Sequence, residues 1–360
     1  MKKNKVTQYL LFLLLNANTD LISRSPLRLP DQAVPSITIR PSNRTIAKTW
    51  YARKTDDRTR VRSVHTLKNP YLRINPIKKG FDQDFFKKHY LPSNEMLQFH
   101  DQSGSVSANI LEEKAQDLIA EIKAGQSIFT DFTILKDRDF NYKQLCGLLV
   151  VKYKDYPFVL KLSIEHPHTI VKPYGKSFEA KFVFIVGGNI RHLTNFTRIS
   201  NLENIKKIVM FNPYYLKNIN FPRKWYWQPK NNYNLEITWN QSIYRDEELF
   251  IIPSIYAVIS DYIDIDTSYP QAELNKIAMK IATDTDFLID PHAGNVVVEK
   301  GSTQYTLLDT ENFRLMTGLD HTLNSKKYIS WFFEISANCL KTYAGRSKKE
   351  RIRQCFSYYE

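Results

Sequence analysis

Residues 287–313, FLIDPHAGNVVVEKGSTQYTLLDTENF, constrain the fold more than any other stretch. Val296 to Glu299 and Tyr305 to Leu308 read as two short strands, and Gly301 between them supplies the turn, so the segment predicts a β-hairpin. A hairpin makes neighbours of positions that the chain keeps apart. Asn295 and Asp309, fourteen residues apart, come to lie side by side, and Asp290 precedes Asn295 by only five positions. The stretch therefore gathers two carboxylates and an amide around one small volume.

The rest of the chain frames that volume. With 360 residues, 42% of them apolar, it can bury one large core or two smaller ones. Its three cysteines, Cys146, Cys339 and Cys355, are too few and too scattered for a disulfide framework or a Cys-based zinc site, which fits a reducing, cytoplasmic setting. The net charge of +14 is concentrated: residues 21–90 hold sixteen Lys/Arg against five Asp/Glu. Such a segment is either a solvated arm or a contact for an acidic partner, an anionic surface or nucleic acid. The apolar run Tyr9 to Leu15 is too short to cross a bilayer. It reads as a short covering helix, or alternatively as a weak export signal lacking small residues at the cleavage positions. No other stretch qualifies as a transmembrane span.

Along the chain, residues 1–20 form this apolar segment and 21–108 a basic, proline-containing extension expected to be an irregular arm or an extended wrapping segment. Residues 109–124 place Ile110, Leu111, Ala115, Leu118, Ile119 and Ile122 at helical spacing. Three strand-like runs follow, SIFTDFTILKD, QLCGLLVVKYK and YPFVLKLSIE, which form an antiparallel meander. KSFEAKFVFIV reads as a helix, IKKIVMF and SIYAVISDYI as strands, AELNKIAMKIA as a helix, and KKYISWFFEISANCLKTYAG as a last helix.

Phosphoryl transfer needs an anchor for phosphates, oxygen ligands for magnesium, and a carboxylate to receive the acceptor's proton. The motif Asp290-Pro291-His292-Ala293-Gly294-Asn295 resembles the catalytic loop of aminoglycoside phosphotransferases and of atypical kinases linked to ubiquinone biosynthesis, within the protein-kinase-like superfamily. LLDTE resembles that superfamily's metal-binding segment with only the Asp kept. FVLKLS resembles the strand that carries the phosphate-anchoring lysine, and YAVISDYID the hinge. The resemblance covers about residues 127–345 and implies roles. Asp290 is the catalytic base, Asn295 and Asp309 bind Mg2+, Lys161 binds ATP phosphates and is positioned by Glu179, and main-chain groups from Ser260 to Tyr262 meet adenine.

It also implies a bilobal α+β fold, with an antiparallel N-lobe sheet in residues 109–262, an insertion near 195–248, and a short helical C-lobe in 263–360. Three departures stand out. No glycine-rich loop precedes Gly147, so Lys136 or Arg138 takes over phosphate contact; Leu288 replaces a histidine; and Glu311 replaces a glycine, as a third metal ligand or an opposing charge. The expected activity is ATP- and magnesium-dependent transfer to an unidentified hydroxyl acceptor, with a catalytically inactive pseudokinase or scaffold as the alternative. A further alternative is nucleic-acid binding, through residues 21–90 and the aromatic-basic stretch FPRKWYWQPKNNYN. The same stretch also reads as aromatic packing, and His166-Pro167-His168 reads as surface.

Overall fold

The apolar runs and turns above specify sheets more than helices, and the fold follows them. In a computed structural model of the chain, residues 36–41, 65–68, 83–166, 192, 195–241, 244–290 and 293–313 are described. The first elements are strands β1 (Ser36–Pro41) and β2 (His65–Lys68), helix α1 (Gln83–Lys88), and the small hairpin β3 (Met96–Gln98) with β4 (Ser105–Ser107). Helix α2 (Ala108–Lys123) begins at Ser107, whose Oγ accepts from Asn109 N at 3.3 Å and so satisfies one of the donors a helix start leaves unmade. Its buried face is Ala108, Leu111, Ala115, Leu118, Ile119 and Ile122. Ile110, expected there, points outward, one position off the stripe.

The meander is formed by β5 (Phe132–Lys136), β6 (Phe140–Asn141), β7 (Cys146–Tyr153) and β8 (Phe158–Ile164). After β8 come helices α3 (Thr197–Val209) and α4 (Pro213–Asn218), then strands β9 (Ile219–Asn220), β10 (Lys224–Trp227), β11 (Asn234–Gln241), β12 (Tyr244–Pro253) and β13 (Ile255–Asp261). The main sheet has the order β10-β13-β8-β7-β5, with β6 paired to β7, and every pair in it is antiparallel.

Strand alternation gives this sheet two chemically different faces. Leu149, Val151, Leu160, Leu162, Ala257 and Ile259 share the face covered by α2, forming the larger core. Each Leu, Val and Ile side chain among them contributes about 1.5–3 kcal/mol by leaving water. The opposite face carries Lys161, Ser163, Lys224, Tyr226, Tyr256, Val258 and Ser260, in a register that sets Lys161 opposite Val258 and Lys224 opposite Ser260. This polar face meets α3.

A second core joins Ile205 and Val209 of α3 to helix α5 (Gln271–Asp284) and to the hairpin β14 (Val296–Val298) with β15 (Tyr305–Leu307). β9 adds to β15 as a parallel strand. The fold is α+β with antiparallel sheets and few helices.

Three expectations need correction. IKKIVMF, expected as a strand, lies largely in helix α3, because Ile199, Leu202, Ile205 and Val209 bury at helical spacing and a seven-residue window hides that period. Of the expected insertion near 195–248, α3 packs on the main sheet and Lys224–Trp227 is its edge strand; β9 joins the β14–β15 hairpin, and β11 and β12 lie in a separate sheet of order β12-β11-β1-β2. The basic extension is not uniformly irregular, since β1 and β2 belong to that second sheet and Phe86, Leu91, Leu97 and Val106 are buried in the body. The helices expected over KSFEAKFVFIV and KKYISWFFEISANCLKTYAG, and the apolar N-terminal segment, lie outside the described residues.

Candidate active site

In β8 every side chain is buried except that of Lys161, which is partly open. An apolar strand isolates this ammonium group, so it needs a partner. Its Nζ lies 3.2 Å from Oδ2 of Asp309, just beyond β15. Oδ1 of the same carboxylate accepts from Arg198 Nε at 3.1 Å. Arg198 lies in the first turn of α3 with its side chain only 2% exposed, and it distributes its remaining donors to Glu311 Oε2 at 3.0 Å and Asn195 Oδ1 at 2.6 Å. Asn195 in turn donates to Ser163 Oγ on β8 at 3.2 Å, tying the guanidinium to the sheet.

The electrostatics follow from this crowding. Burial disfavours the charged form of Asp309, yet Arg198, Lys161 and Lys224 together hold its carboxyl well below the usual carboxylate range. Burial lowers the Lys161 pKa, and the attraction of Asp309 offsets only part of that. Lys224, on β10, is buried and donates to Leu308 O at 3.0 Å and Thr310 Oγ1 at 2.8 Å; burial first, then repulsion from Lys161, lowers its pKa well below that of a free lysine.

The hairpin brings its two ends together. Leu308 N donates to Asn295 O at 2.8 Å, which places Asn295 directly beside the Asp309 segment. Asn295 Nδ2 reaches back to the carbonyl of Asp290 at 3.2 Å and closes the loop between them. From α3, Asn201 Nδ2 donates to both Leu288 O (2.8 Å) and Thr310 O (3.0 Å), so one amide joins the segment leading to Asp290 with the segment leaving Asp309. Asp290, Asn295, Asp309 and Lys161 thus belong to one region.

Other expected residues are placed differently. Glu179 lies outside the described residues. At the expected hinge, Ser260 is buried on the inner face, while Asp261 N donates to Arg223 O at 3.2 Å and Tyr262 N to Pro157 O at 2.8 Å. The main-chain donors of 261 and 262 are thereby committed within the protein. Lys136 and Arg138 both lean on Asp139, at 3.3 and 3.7 Å. Glu311 Oε2 accepts from Arg198 at 3.0 Å. In the aromatic-basic stretch Lys224, Tyr226, Trp227 and Tyr233 are buried, as the aromatic-packing reading expects. His166, expected at the surface, is buried against Tyr233 Oη and Gln144 O, each at 3.2 Å.

Arg198, Asn201 and Lys224 were not anticipated. The helical period of TRISNLENIKKIV does contain the signal for two of them, since Arg198 and Asn201 fall on the same face as Ile205 and Val209. Lys224 carried no such signal: in a four-residue edge strand either face is open to a lysine.

Asp309 and the amide oxygen of Asn295 are hard oxygen donors of the kind magnesium takes. Admission of a divalent ion at Asp309 requires Lys161 or Arg198 to release an oxygen. Among the described residues no group of three or more His, Cys, Asp and Glu side chains converges on a metal position, and no helix is long and apolar enough to cross a membrane.

The described residues thus define an α+β protein with a buried, mixed-charge site where its two cores meet. Comparison of the chain with protein-family models, with curated proteins and with solved structures gave no match.

Proposed function

We propose that this chain is a kinase-like phosphotransferase that uses ATP and Mg2+ to phosphorylate a hydroxyl acceptor. The observation that carries the reading is the meeting of Lys161 with Asp309, beside the hairpin end that holds Asn295. A lysine on the middle strand of an antiparallel five-strand path, a helix packed beneath it, and a carboxylate delivered by a distant hairpin are the parts that phosphoryl transfer requires.

In this reading Lys161 turns from Asp309 to the nucleotide phosphates. Asp290 orients the acceptor hydroxyl and receives its proton as the oxygen bonds to the γ-phosphorus. The bond from that phosphorus to the bridging oxygen breaks, and ADP leaves. Asn295 and Asp309 hold the metal ion, which when bound neutralises charge on the phosphate oxygens. Most of the rate comes from placement and charge rather than covalent chemistry. The basic segment 21–90 offers a contact for an acidic partner or anionic surface, and the few cysteines suit a cytoplasmic setting.

One observation favours a second reading, a nucleotide-binding pseudokinase: both oxygens of Asp309 already carry protein cations. Thermal unfolding with ATP and magnesium, on the parent and on Asp309→Ala, tests the proposal. A ligand-dependent rise in Tm confined to the parent supports it, by mass action. No rise in the parent overturns it, and a rise without phosphate transfer to any hydroxyl acceptor supports the pseudokinase.

A further inference from the structure

Arg198 has no counterpart among the parts just assigned, yet it is the most fully engaged side chain in the site. Its guanidinium bridges Asp309 and Glu311 and is braced by Asn195, which is itself tied to β8 through Ser163. An arginine held at three nitrogens by two carboxylates and an amide is a fixed charge, because its planar donors match all three acceptors at once. It holds Oδ1 of Asp309 while Lys161 holds Oδ2.

The charge balance points the same way. Two cations, Lys161 and Arg198, already pair with the two carboxylates Asp309 and Glu311 in a largely buried volume, with the Lys224 amine close by on Thr310. A divalent cation entering there adds positive charge beside the fixed Arg198 guanidinium. A triphosphate adds the opposite. The residue occupying the glycine position of the metal-binding segment, Glu311, supplies the second carboxylate that keeps Arg198 in place, so the two departures from the expected pattern form one device.

We infer that Arg198 is an internal cation beside Lys161 at Asp309, so that the site binds nucleoside triphosphate without a divalent ion, magnesium being needed for transfer and not for binding. This inference rests on the proposed nucleotide site at Lys161 and specifies which form of the ligand that site accepts.

The test is titration of the full chain with ATP, in EDTA and in magnesium, by calorimetry and thermal unfolding. Lys161→Met serves as the control that the signal comes from this site and not from the basic extension. Binding in EDTA within about tenfold of that in magnesium is expected. The double variant Arg198→Met/Glu311→Gln leaves Lys161 and Asp309 as a neutral pair, and is expected to lose binding in EDTA while keeping it in magnesium. Arg198→Lys, which cannot bridge both carboxylates, is expected to shift the same way and serves where the double variant does not fold. Parent binding that appears only with magnesium overturns the inference and leaves the proposed nucleotide site standing. Equal metal-free binding by parent and Arg198 variants overturns it as well. Absence of binding under both conditions overturns the nucleotide site itself.

Discussion

Lys161 Nζ and Asp309 Oδ2, from a strand early in the main sheet and from the end of a late hairpin, meet at 3.2 Å. The contact joins the two cores. Removing Asp309 takes an acceptor from both Lys161 and Arg198, whereas removing Lys161 leaves Asp309 still paired with Arg198. Asp309→Asn is therefore expected to destabilise the protein by about 3–5 kcal/mol, and Lys161→Met by on the order of 1 kcal/mol. Urea unfolding of both variants checks the asymmetry, and equal losses would contradict it.

Asn201 serves two carbonyls with one amide, Leu288 O and Thr310 O, both in buried surroundings. Asn201→Leu conserves volume but leaves those acceptors without the donor. A loss of roughly 2–4 kcal/mol is expected from two such bonds. The amide also sets the spacing between the Asp290 and Asp309 segments, so under the proposed phosphotransferase function turnover should fall more than nucleotide binding does. Calorimetry and turnover on the same variant separate the two, and an unchanged stability would remove the clamp from consideration.

His192 is fully buried and hydrogen-bonds through Nε2 to Pro253 O at 3.2 Å, and its Nδ1 has no partner among the described residues. Burial, slightly opposed by that bond, pushes its pKa down to about 4. The folded form thus keeps the ring neutral while the unfolded chain takes up a proton near pH 6.5. The sign is settled by that order: stability is complete above pH 6.5 and falls as pH drops toward 4. The loss over this window is roughly 3 kcal/mol. Unfolding midpoints measured from pH 7 to 4, on the parent and on His192→Gln, check it; a parallel fall in both would assign the effect elsewhere.

Gly147 combines φ of +111° with a Cβ position only 2.2 Å from Asp139 O, where the β6–β7 turn closes on itself. Leu148 N donates to that same carbonyl at 3.0 Å, so the strand cannot retreat without losing the bond. Gly147→Ala is expected to cost about 2–4 kcal/mol, from positive φ and backbone overlap together. A stable Gly147→Ala protein with an unchanged midpoint in urea would refute the close approach.

Much of the fold was legible because it depends on local pattern. The stripe of α2, the apolar runs of β5, β7 and β8, and the β14–β15 hairpin all repeat at the period of their own element. The hairpin's consequence for Asn295 and Leu308 could be read for the same reason, since its register follows from its turn. Helix α3 was harder to read. Its buried positions are separated by Lys206-Lys207, and the four apolar residues at its C-terminal end imitate a strand.

The sequence alone determined that Asp290, Asn295 and Asp309 share one region and that Lys161 sits on a buried strand. Neighbour relations within a hairpin and alternation within a strand are local, and local rules need no knowledge of the rest of the chain. Which cation meets which carboxylate was decided only in three dimensions. Arg198 reaches Asp309 and Glu311 because α3 packs beneath the inner face of the sheet, and Lys224 meets Thr310 because β10 pairs with β13 at a register that turns its ammonium inward. Coulomb attraction and desolvation depend on distance through space, and those distances are set by the packing of elements that the chain order keeps apart.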